Sequence, residues 1–567
     1  MLVVKKFNQI GSRWYLGVIL LIAAVLRFWG LGAADIESDD GHFAFRALGW
    51  LDYLGGKQTT PIQWFDYIPW WANFSFHDHP PLVFLLEKIS FTFFGPTTWA
   101  MRAPFALAGV LSILLIYFLV KEIRGKSWAL VASLLSAISA YLVWINRISY
   151  GESLVIVFTL LGWWFLVRYL KYQASWDIIL FGASIGLALS AKYTAMFAFP
   201  AVFFYLLFWH RSAFKNKKFW LGFLTMMVVL LPVIFYNLMV FKTRGHFDAT
   251  LSHIFGLRPD DFAIIKNRTT SFSWSNIGAE IQALFVSSAL PLVWLKIAAV
   301  VYLLIKLFKR QARELEKIVL VNVFFIAAMF LFMGPAARYL SIIEPYLLIG
   351  LSVLIVDFWL WSARGNDYAA KLFFGGLVSL VVAWELVFCV NTNLIFPPWG
   401  QSSYFYAPHH LTGRGWNKLE HLIQKEIFPD LPEIRSIKTT EDFKIDLVGS
   451  TVYPLIIFDD RIDWFGEIWY LNKYLVFYEL PVFSISHLLS FLPKDASLLP
   501  YLKSVGFDDF WFILAVGNGV LNDKTATDAA FTQSMLGIAG YLESSGFQPQ
   551  IIMDYQGEAA FKVYHFQ

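Results

Sequence analysis

The residues best suited to chemistry lie in short polar segments between long apolar stretches. The first segment, DIESDDGHFAFRAL (35–48), contains the adjacent carboxylates Asp39 and Asp40, followed by His42. A carboxylate beside a second carboxylate is suited to act as a general base. A structural role is the alternative interpretation, because aspartate at the start of a helix stabilises the helix N-terminus.

The second polar segment, FHDHPPLVFLLEKI (76–89), places His77, Asp78 and His79 before two prolines. By residue type these side chains could ligate a metal ion, but H-x-H is a weak signal on its own. The prolines favour an extended chain and then the start of a helix. An ordinary turn at the membrane interface is the alternative, and nothing in the sequence requires a metal.

Three further segments hold ionisable residues at the ends of apolar stretches. They are Arg147 and Glu152 in NRISYGES (146–153), Lys192 in LSAKYTAMF (189–197), and Arg338, Tyr339 and Glu344 in GPAARYLSIIEPYLL (334–348). Such residues form weak surface ion pairs or snorkel to the interface, or they bind a lipid phosphate. Glu344 lies deeper in its apolar stretch, where an ionisable group requires a partner or a polar cavity.

The composition predicts a polytopic membrane protein. Of 567 residues, 58% are hydrophobic and only 15% are charged, whereas soluble domains contain about 25% charged residues. The net charge of +4 is small and dispersed, which argues against a nucleic-acid partner. A spanning helix needs about 20 mostly apolar residues. The windows that qualify are 14–31, 100–120, 127–145, 153–170, 177–191, 194–209, 219–240, 288–308, 318–333, 338–360 and 371–390.

The basic residues indicate the orientation of these windows. With the N-terminus inside, the basic connections 121–126, 210–219, 306–317 and 362–371 all lie on the cytoplasmic side, as the positive-inside rule requires. The weaker apolar segment 80–95 then does not cross, and we predict a juxtamembrane or re-entrant helix there, at the outer interface. All the polar segments described above come to the extracytoplasmic face.

The composition changes near residue 397, which predicts two domains. Residues 1–396 form the transmembrane domain, with 32–99 as its first extracytoplasmic loop, and residues 397–567 form an extracytoplasmic α/β domain. Apolar runs predict strands at 452–458, 475–483, 509–516, 548–555 and 559–566. The pattern of 525–544 predicts an amphipathic helix.

The order of these motifs resembles that of the GT-C glycosyltransferases. DDGHFAFRAL is similar to the Asp-Glu-x-x-(Tyr/Phe)-Ala pattern after their first span, and HPPLVFLLEKI is similar to the section that follows. NRISYGES, LSAKYTAMF and ARYLSIIEPYL match later signposts in order. Within this group, the motifs resemble those of the protein O-mannosyltransferases and of the bacterial aminoarabinose and related lipid-phospho-sugar transferases. The resemblance implies a GT-C fold for this α-helical polytopic protein, with juxtamembrane helices in the first outer loop, and the apolar windows give about 11 transmembrane helices.

The resemblance implies a role for each matching residue. Asp39 matches the catalytic acidic residue that takes the acceptor's proton, and Asp40 stands where the family usually has Glu. His42 stands where some members carry an arginine that contacts phosphate. The other implied substrate-binding residues are His79, Arg147, Glu152, Lys192, Arg338 and Tyr339. Glu344 departs from the family's usual apolar residue.

Together these observations predict an inverting glycosyltransferase. Asp39 assists an acceptor hydroxyl or amine that attacks the sugar of an undecaprenyl- or dolichyl-phosphate donor, and the cations stabilise the departing phosphate. The expected partners are the bilayer, the polyprenyl-phosphate sugar and an acceptor protein, glycolipid or polymer. A divalent metal remains an open option. The predicted location is a bacterial inner or plasma membrane, with the active site outside.

Two other classes of protein remain as alternatives. One is a transporter or flippase of lipid-linked substrates, which often shows internal repeats and a polar site at the membrane midplane. The sequence shows no internal repeat and places its polar residues at one face, which disfavours a transporter. The other alternative is a non-catalytic lipid-binding relative on the same fold.

Overall fold

The computed structural model describes most of the chain. The described residues are 2–36, 38–53, 59–262, 273–334, 336–364, 368–444, 447, 449–493, 497–517, 519–522 and 529–567. They form two compact units. The first unit comprises Met1–Leu31, Trp71–Leu86 and Arg102–His410, and the second comprises Gly32–Trp70, Glu87–Met101 and Leu411–Gln567. The predicted domain boundary after residue 396 is a single cut in the sequence. The second unit is not continuous in sequence, because it also includes two segments of the predicted first loop.

The first unit is helical. Its longer helices are Leu2–Phe28, Thr98–Ile123 (beyond residue 101), Glu152–Tyr172, Ser175–Ala191, Ala198–Trp209, Leu290–Phe308, Glu314–Met333, Glu344–Arg364 and Tyr368–Asn393. Its short helices and 3-10 turns are Tyr193–Phe197, Arg211–Lys215, Ala249–Ile254, Trp274–Phe285, Ala337–Leu340 and Ser341–Ile343. Two helix pairs are bent, Lys126–Ile138 with Ala140–Asn146 by 61° and Phe219–Val229 with Leu231–Arg244 by 57°.

A helix or bent helix pair lies at each predicted membrane window. In the described part of the chain, 6 helices are long and apolar enough to cross a membrane, or up to 8 if each bent pair is one span. The other windows hold the shorter apolar helices Trp14–Phe28, Ser175–Ala191 and Tyr193–Trp209. The chain is therefore a multi-pass membrane protein, and the count of eleven spans stays a prediction. The segment 80–95 forms the helix Leu82–Phe94, whose placement at the interface also stays a prediction.

The bend at residue 139 is stabilised by buried polar groups. Ser139 Oγ accepts a hydrogen bond from the amide of Leu142, as an N-cap does. Glu385 accepts the amide of Ala140 through Oε1 and the amide of Ala289 through Oε2, each at 2.8 Å. One buried carboxylate thus satisfies amides at the starts of two helices, which would otherwise lack partners in an apolar setting.

The second unit contains a mixed sheet. Its strands are β1 (Leu455–Phe458), β2 (Val482–Ser484), β3 (Phe510–Ala515), β4 (Gln550–Met553) and β5 (Ala559–Phe566). The described residues form a 5-stranded sheet in the order β2-β1-β3-β5-β4. β1 runs parallel to β2 and β3, whereas β5 runs antiparallel to β3 and β4. Every residue of β1 and β3 is buried, as is usual for strands covered on both faces.

The helices of the second unit precede, separate and follow the strands along the sequence. They are Asp39–Gly49, Pro61–Phe65, Trp416–Leu422, Trp464–Glu467, Lys473–Tyr478, Ile485–Leu489, Leu498–Val505 and Ala529–Ser544, with single turns at Ile423–Ile427, Thr440–Phe443, Gly449–Val452 and Ile468–Asn472. The predicted helix 525–544 is present from residue 529, and residues 525–528 lie outside the described part.

Four of the five predicted strands are confirmed, and the strand at 475–483 is wrong. Residues Lys473–Tyr478 form a helix, which ends at Glu479 in the left-handed region (φ 57°), and β2 begins only at Val482. A short apolar run that is buried all round has no period that separates a strand from a helix. The prediction therefore depended on apolar composition alone.

Candidate functional site

Four predicted substrate-binding residues come together in the first unit. Lys192 Nζ lies 2.6 Å from Glu152 Oε1 and 4.8 Å from the centre of the Tyr339 ring. Arg338 donates from Nη2 to the Tyr339 hydroxyl at 3.1 Å. The Arg338 guanidinium also lies 5.0 Å from the ring centres of Tyr150 and Tyr339. We call these five side chains the cationic cluster.

Helix ends position the cationic cluster. Glu152 is the first residue of the helix Glu152–Tyr172, where a carboxylate interacts favourably with the helix dipole. Lys192 follows the helix Ser175–Ala191 and has extended backbone (φ −163°), so the helix stops there and the lysine starts a new turn. Arg338 and Tyr339 lie in the short helix Ala337–Leu340. The cluster therefore draws on sites that are distant in the sequence.

The cationic cluster is only partly shielded from solvent. Glu152 is fully buried and Lys192 is 8% exposed, whereas Arg338 and Tyr339 are half-buried. The ionisable members are two cations and one carboxylate, so their formal charges sum to one positive charge. A partly desolvated positive site flanked by aromatic rings is suited to a phosphate group.

A buried aspartate, Asp248, connects the turn that begins at Lys192 to residues 241–287, which the apolar windows predict as a second long extracytoplasmic loop. The Tyr193 hydroxyl donates to Asp248 Oδ2 at 2.5 Å, and Asn237 Nδ2 donates to the same oxygen at 2.9 Å. Asp248 Oδ1 accepts the amide of Leu251 at 2.8 Å. Burial raises the pKa of Asp248 above its usual value, and these hydrogen bonds oppose the rise. Because Tyr193 follows Lys192 directly, this network fixes the backbone that carries the lysine.

The segment that contains His79 packs against the same loop. The amide of Ala249 donates to the carbonyl of His77 at 2.7 Å, and Thr250 Oγ1 donates to the carbonyl of Asp78 at 3.0 Å. His79 Nδ1 lies 3.2 Å from the Asp78 carboxylate. Within the described ranges, no group of three or more His, Cys, Asp or Glu side chains could hold a metal ion. Metal binding by His77, Asp78 and His79 stays a prediction.

Arg147 contacts the end of the first helix. Its Nη1 donates to the carbonyls of Leu26, Arg27 and Trp29 at 3.1, 3.2 and 2.8 Å, and its Nη2 donates to the carbonyl of Gly30 at 3.2 Å. Carbonyls at the C-terminal end of a helix generally lack partners within it, and the buried guanidinium supplies donors at this end. This is a capping role. Contact with a substrate phosphate stays a prediction for this residue.

Glu344 has the partner that its position requires. Lys296 Nζ donates to its two carboxylate oxygens at 3.0 and 2.9 Å, and Ser139 Oγ donates to Oε1 at 3.1 Å. Lys296 also donates to Ser288 Oγ at 3.0 Å. Glu344 is fully buried and Lys296 is 3% exposed. The expectation that this carboxylate is paired is confirmed.

The acidic pair lies in the second unit, at the start of the helix Asp39–Gly49, which we call the acidic helix. Asp40 is fully buried and accepts the amide of Gly41 at 3.0 Å, whereas Asp39 is half-buried. His42 Nε2 donates to the carbonyl of Tyr53 at 2.9 Å, and its ring meets Trp464 edge-on. The helix start predicted from the acidic pair is confirmed. The catalytic role of Asp39 and the phosphate contact of His42 stay predictions.

Asp35, the first carboxylate of the same segment, has a structural role. Its Oδ2 accepts the amides of Arg414 and Trp416, the second at 3.0 Å, and its Oδ1 accepts the amide of Asn417 at 2.8 Å. These amides open the helix Trp416–Leu422. The side chain is almost fully buried, so it caps this helix from a distant part of the sequence.

Two glycines allow the acidic helix to pack closely within the second unit. A Cβ atom at Gly41 would lie 2.7 Å from Ile36 Cγ2 and 3.1 Å from the carbonyl of Phe465. A Cβ atom at Gly49 would lie 2.1 Å from Phe477 Cε1. Larger side chains at these positions would push the helix, and the acidic pair with it, away from its neighbours.

A further carboxylate, Glu467, lies in a short helix that packs against the acidic helix. Its Oε1 accepts a hydrogen bond from Asn472 Nδ2 at 2.9 Å. Burial raises the pKa of Glu467 to about 7, and the charges of Asp460 and Asp463 add to the rise while Asn472 opposes it. This residue changes its charge near neutral pH, within the unit that carries Asp39.

Sequence reasoning missed several of these residues. Lys296 and Glu385 are single ionisable residues inside apolar runs, so the rule that singled out Glu344 could also have found them. Asp248 and Glu467 lie in polar segments that match no motif, and the neighbouring sequence does not predict that these carboxylates are shielded from solvent. Only the packing of distant segments removes them from water.

Comparison with known proteins supports the resemblance for part of the chain. The family described as dolichyl-phosphate-mannose-protein mannosyltransferase matches residues 78–236. YkcB and YycA of Bacillus subtilis (strain 168), whose names provisionally describe mannosyltransferases, are 32% and 35% identical over 148 and 156 residues. The matches cover 26% and 27% of this chain, but only 20% and 22% of those relatives. The chain thus matches about a fifth of the length of each.

The fold extends the similarity to nearly the whole chain. The crystal structure of ArnT from Cupriavidus metallidurans bound to undecaprenyl phosphate has a TM-score of 0.51 to this structure at 12% identity, and the match covers 97% of this chain and 98% of that chain. An identity this low demonstrates a shared fold and nothing more. The chain therefore shares the fold of ArnT, in agreement with the predicted GT-C fold, and matches the mannosyltransferase family over residues 78–236.

Proposed function

We propose that the chain transfers a sugar from a polyprenyl phosphate to an acceptor on the extracytoplasmic side of a membrane. The cationic cluster supports this proposal most directly, because it places Lys192 and Arg338 together with Tyr339 in a partly buried setting. ArnT is described as bound to undecaprenyl phosphate, and the matched family is named for a dolichyl phosphate. Either lipid would present the same phosphate to the cluster.

The proposed reaction is a single displacement. The acceptor oxygen or nitrogen forms a bond to the anomeric carbon, the bond from that carbon to the phosphate oxygen breaks, and the polyprenyl phosphate leaves with the electron pair. The acceptor's proton passes to Asp39. Attack opposite the leaving group inverts the anomeric configuration.

The cations stabilise the charge that develops on the leaving phosphate. Glu152 orients Lys192 through one of its three N–H donors, which leaves the others for phosphate oxygens. Fixed donors in a partly dry site are effective because they need no reorganisation as the charge forms. The scheme does not require a divalent metal, and adding Mg²⁺ or a chelator to the assay tests for one.

The experiment uses purified full-length protein in detergent with a panel of undecaprenyl-phosphate sugars and candidate acceptors. The release of free undecaprenyl phosphate is measured for the wild type, for Asp39→Asn and for Asp66→Asn, an exposed carboxylate in the same predicted loop. Loss of release in Asp39→Asn alone, by at least about 100-fold, is the expected result. Equal release in all three proteins would contradict the role of Asp39. Lipid binding without release would favour a transporter or a non-catalytic lipid-binding protein, which a liposome transport assay separates.

A further inference from the structure

Glu280 is a buried carboxylate that the proposed reaction leaves unused. It lies in the helix Trp274–Phe285 and is only 9% exposed. Its Oε1 has no hydrogen-bond partner within the part of the chain that the structure describes. Leaving a carboxylate oxygen buried without a partner costs free energy. A bound ligand is one way in which such a group obtains the missing hydrogen bond.

The surroundings of Glu280 connect it to the cationic cluster. Its helix packs against the short helix Ala337–Leu340, which carries two members of the cluster. Asn276 Nδ2 donates to the carbonyl of Leu331, near the C-terminal end of the preceding long helix, at 2.9 Å. Asn276 and Glu280 are four residues apart, so they share one face of their helix. The helix therefore packs against the two helices that precede and carry Arg338 and Tyr339.

We infer that Glu280 binds hydroxyl groups of the donor's sugar and thereby selects which lipid-linked sugar the protein accepts. The inference rests on the proposed function, because it assumes that the cationic cluster binds the phosphate to which the sugar is attached. An ionised carboxylate only accepts hydrogen bonds, and a sugar offers neighbouring hydroxyl donors. The cations and the carboxylate therefore match the two parts of one molecule, phosphate and sugar.

The ionisation of Glu280 is consistent with this role. Burial raises the pKa of its carboxyl group to about 7. Hydroxyl donors favour the ionised form, so a bound sugar lowers this pKa. Binding of the sugar-bearing lipid near pH 6.5 should therefore release protons, whereas binding of the lipid phosphate alone should not release them from this group.

The test compares two kinds of probe lipid with the full-length protein in detergent. Affinities for undecaprenyl phosphate, and for its mannosyl, glucosyl and galactosyl derivatives, are measured for the wild type, Glu280→Gln and Asp260→Asn. Asp260 is an exposed carboxylate that, like Glu280, lies in the predicted loop 241–287, and it serves as the matched control. We expect Glu280→Gln to bind the preferred sugar lipid about 10- to 100-fold more weakly, the loss expected for hydrogen bonds to a charged group. Its affinity for undecaprenyl phosphate should stay within about twofold of the wild-type value.

The other outcomes separate the two proposals. Equal weakening for both kinds of lipid, or no weakening for either, would overturn the role of Glu280 and leave the proposed function standing. A wild type that binds neither lipid would overturn the proposed function itself and this inference with it. If Glu280→Gln does not fold, Glu280→Asp replaces it, because it keeps the charge one methylene shorter and should lose sugar affinity selectively by a smaller factor.

Discussion

Lys296 and Glu344 form an ion pair inside the helical unit, with Lys296 Nζ 2.9 Å from Glu344 Oε2. Both side chains are almost completely removed from solvent. Glu344 begins the helix Glu344–Arg364, only six residues after Arg338 of the cationic cluster. The pair therefore anchors the segment that carries the arginine.

Breaking this pair should be costly. Glu344→Ala leaves the Lys296 cation buried without its partner, and we expect the free energy of unfolding to fall by about 3–5 kcal/mol. The double variant Lys296→Met with Glu344→Met should recover most of that loss, because it leaves no unpaired charge. Thermal melting in detergent measures both effects. Glu441→Ala, which breaks an exposed pair with Lys444, is the control and should melt like the wild type. A double variant no more stable than Glu344→Ala would contradict the argument.

Removing the lysine of the cationic cluster should weaken donor binding. Lys192→Met keeps most of the side-chain volume but loses the charge, and we expect affinity for undecaprenyl phosphate to fall by about 10- to 100-fold. Glu152→Gln keeps the lysine and removes its competing carboxylate, so affinity should hold or increase. Lys171→Met is the matched control. It breaks the ion pair between Lys171 and Glu122, which is more exposed than the pair between Lys192 and Glu152. Lipid binding measured in detergent decides the point, and equal effects of Lys192→Met and Lys171→Met would refute it.

The cap formed by Asp35 should contribute measurably to stability. Asp35→Ala removes acceptors from three backbone amides, and loss of a helix cap typically costs about 0.5–2 kcal/mol. Asp35→Asn keeps one oxygen acceptor, so it should fall between Ala and the wild type. Melting temperature and far-UV circular dichroism measure the loss. An unchanged melting temperature in Asp35→Ala would show that water replaces the carboxylate.

Glu467 should make the stability of the second unit depend on pH. Burial raises its pKa in the folded state to about 7, well above the ordinary value of 4.5. Folding therefore disfavours the ionised form, so this group's contribution is fully present below pH 4.5 and is lost as the pH rises through about 7. Glu467→Gln should flatten the melting temperature across this range and stabilise the protein most at pH 8. Asp66→Asn, an exposed carboxylate of the same unit, is the control, and parallel pH profiles for all three proteins would contradict the prediction.

The sequence predicted the long apolar helices well, because the apolar character that defines such a helix belongs to its own residues. Windows such as 153–170 and 288–308 correspond to Glu152–Tyr172 and Leu290–Phe308. Crossing a membrane requires a continuous apolar run, and such a run is visible without any knowledge of neighbours. The strand assigned to 475–483 was wrong because its apolar residues are buried in either conformation.

The site residues were predicted more unevenly. Lys192, Glu152 and Arg338 were singled out because ionisable groups beside apolar runs are rare, and the structure brings them together. The same reasoning predicts a phosphate contact for Arg147, and the structure adds a second role, because this side chain also binds backbone carbonyls at the end of the first helix. A charged residue at the end of a span has the same sequence signature whether its partner is a ligand or a helix end.

The sequence by itself determined the class of the protein, its apolar helices and which residue types were available for chemistry. Composition and periodicity carry this information locally. The tertiary structure alone decided how the charges are paired, for example that Lys296 forms an ion pair with Glu344. It also decided that Asp35 caps a helix some 380 residues away. It also left Glu280 buried with an oxygen that no described group satisfies. These relationships depend on which segments meet in space, and a buried charge is stabilised or left costly by neighbours that lie far away in the chain.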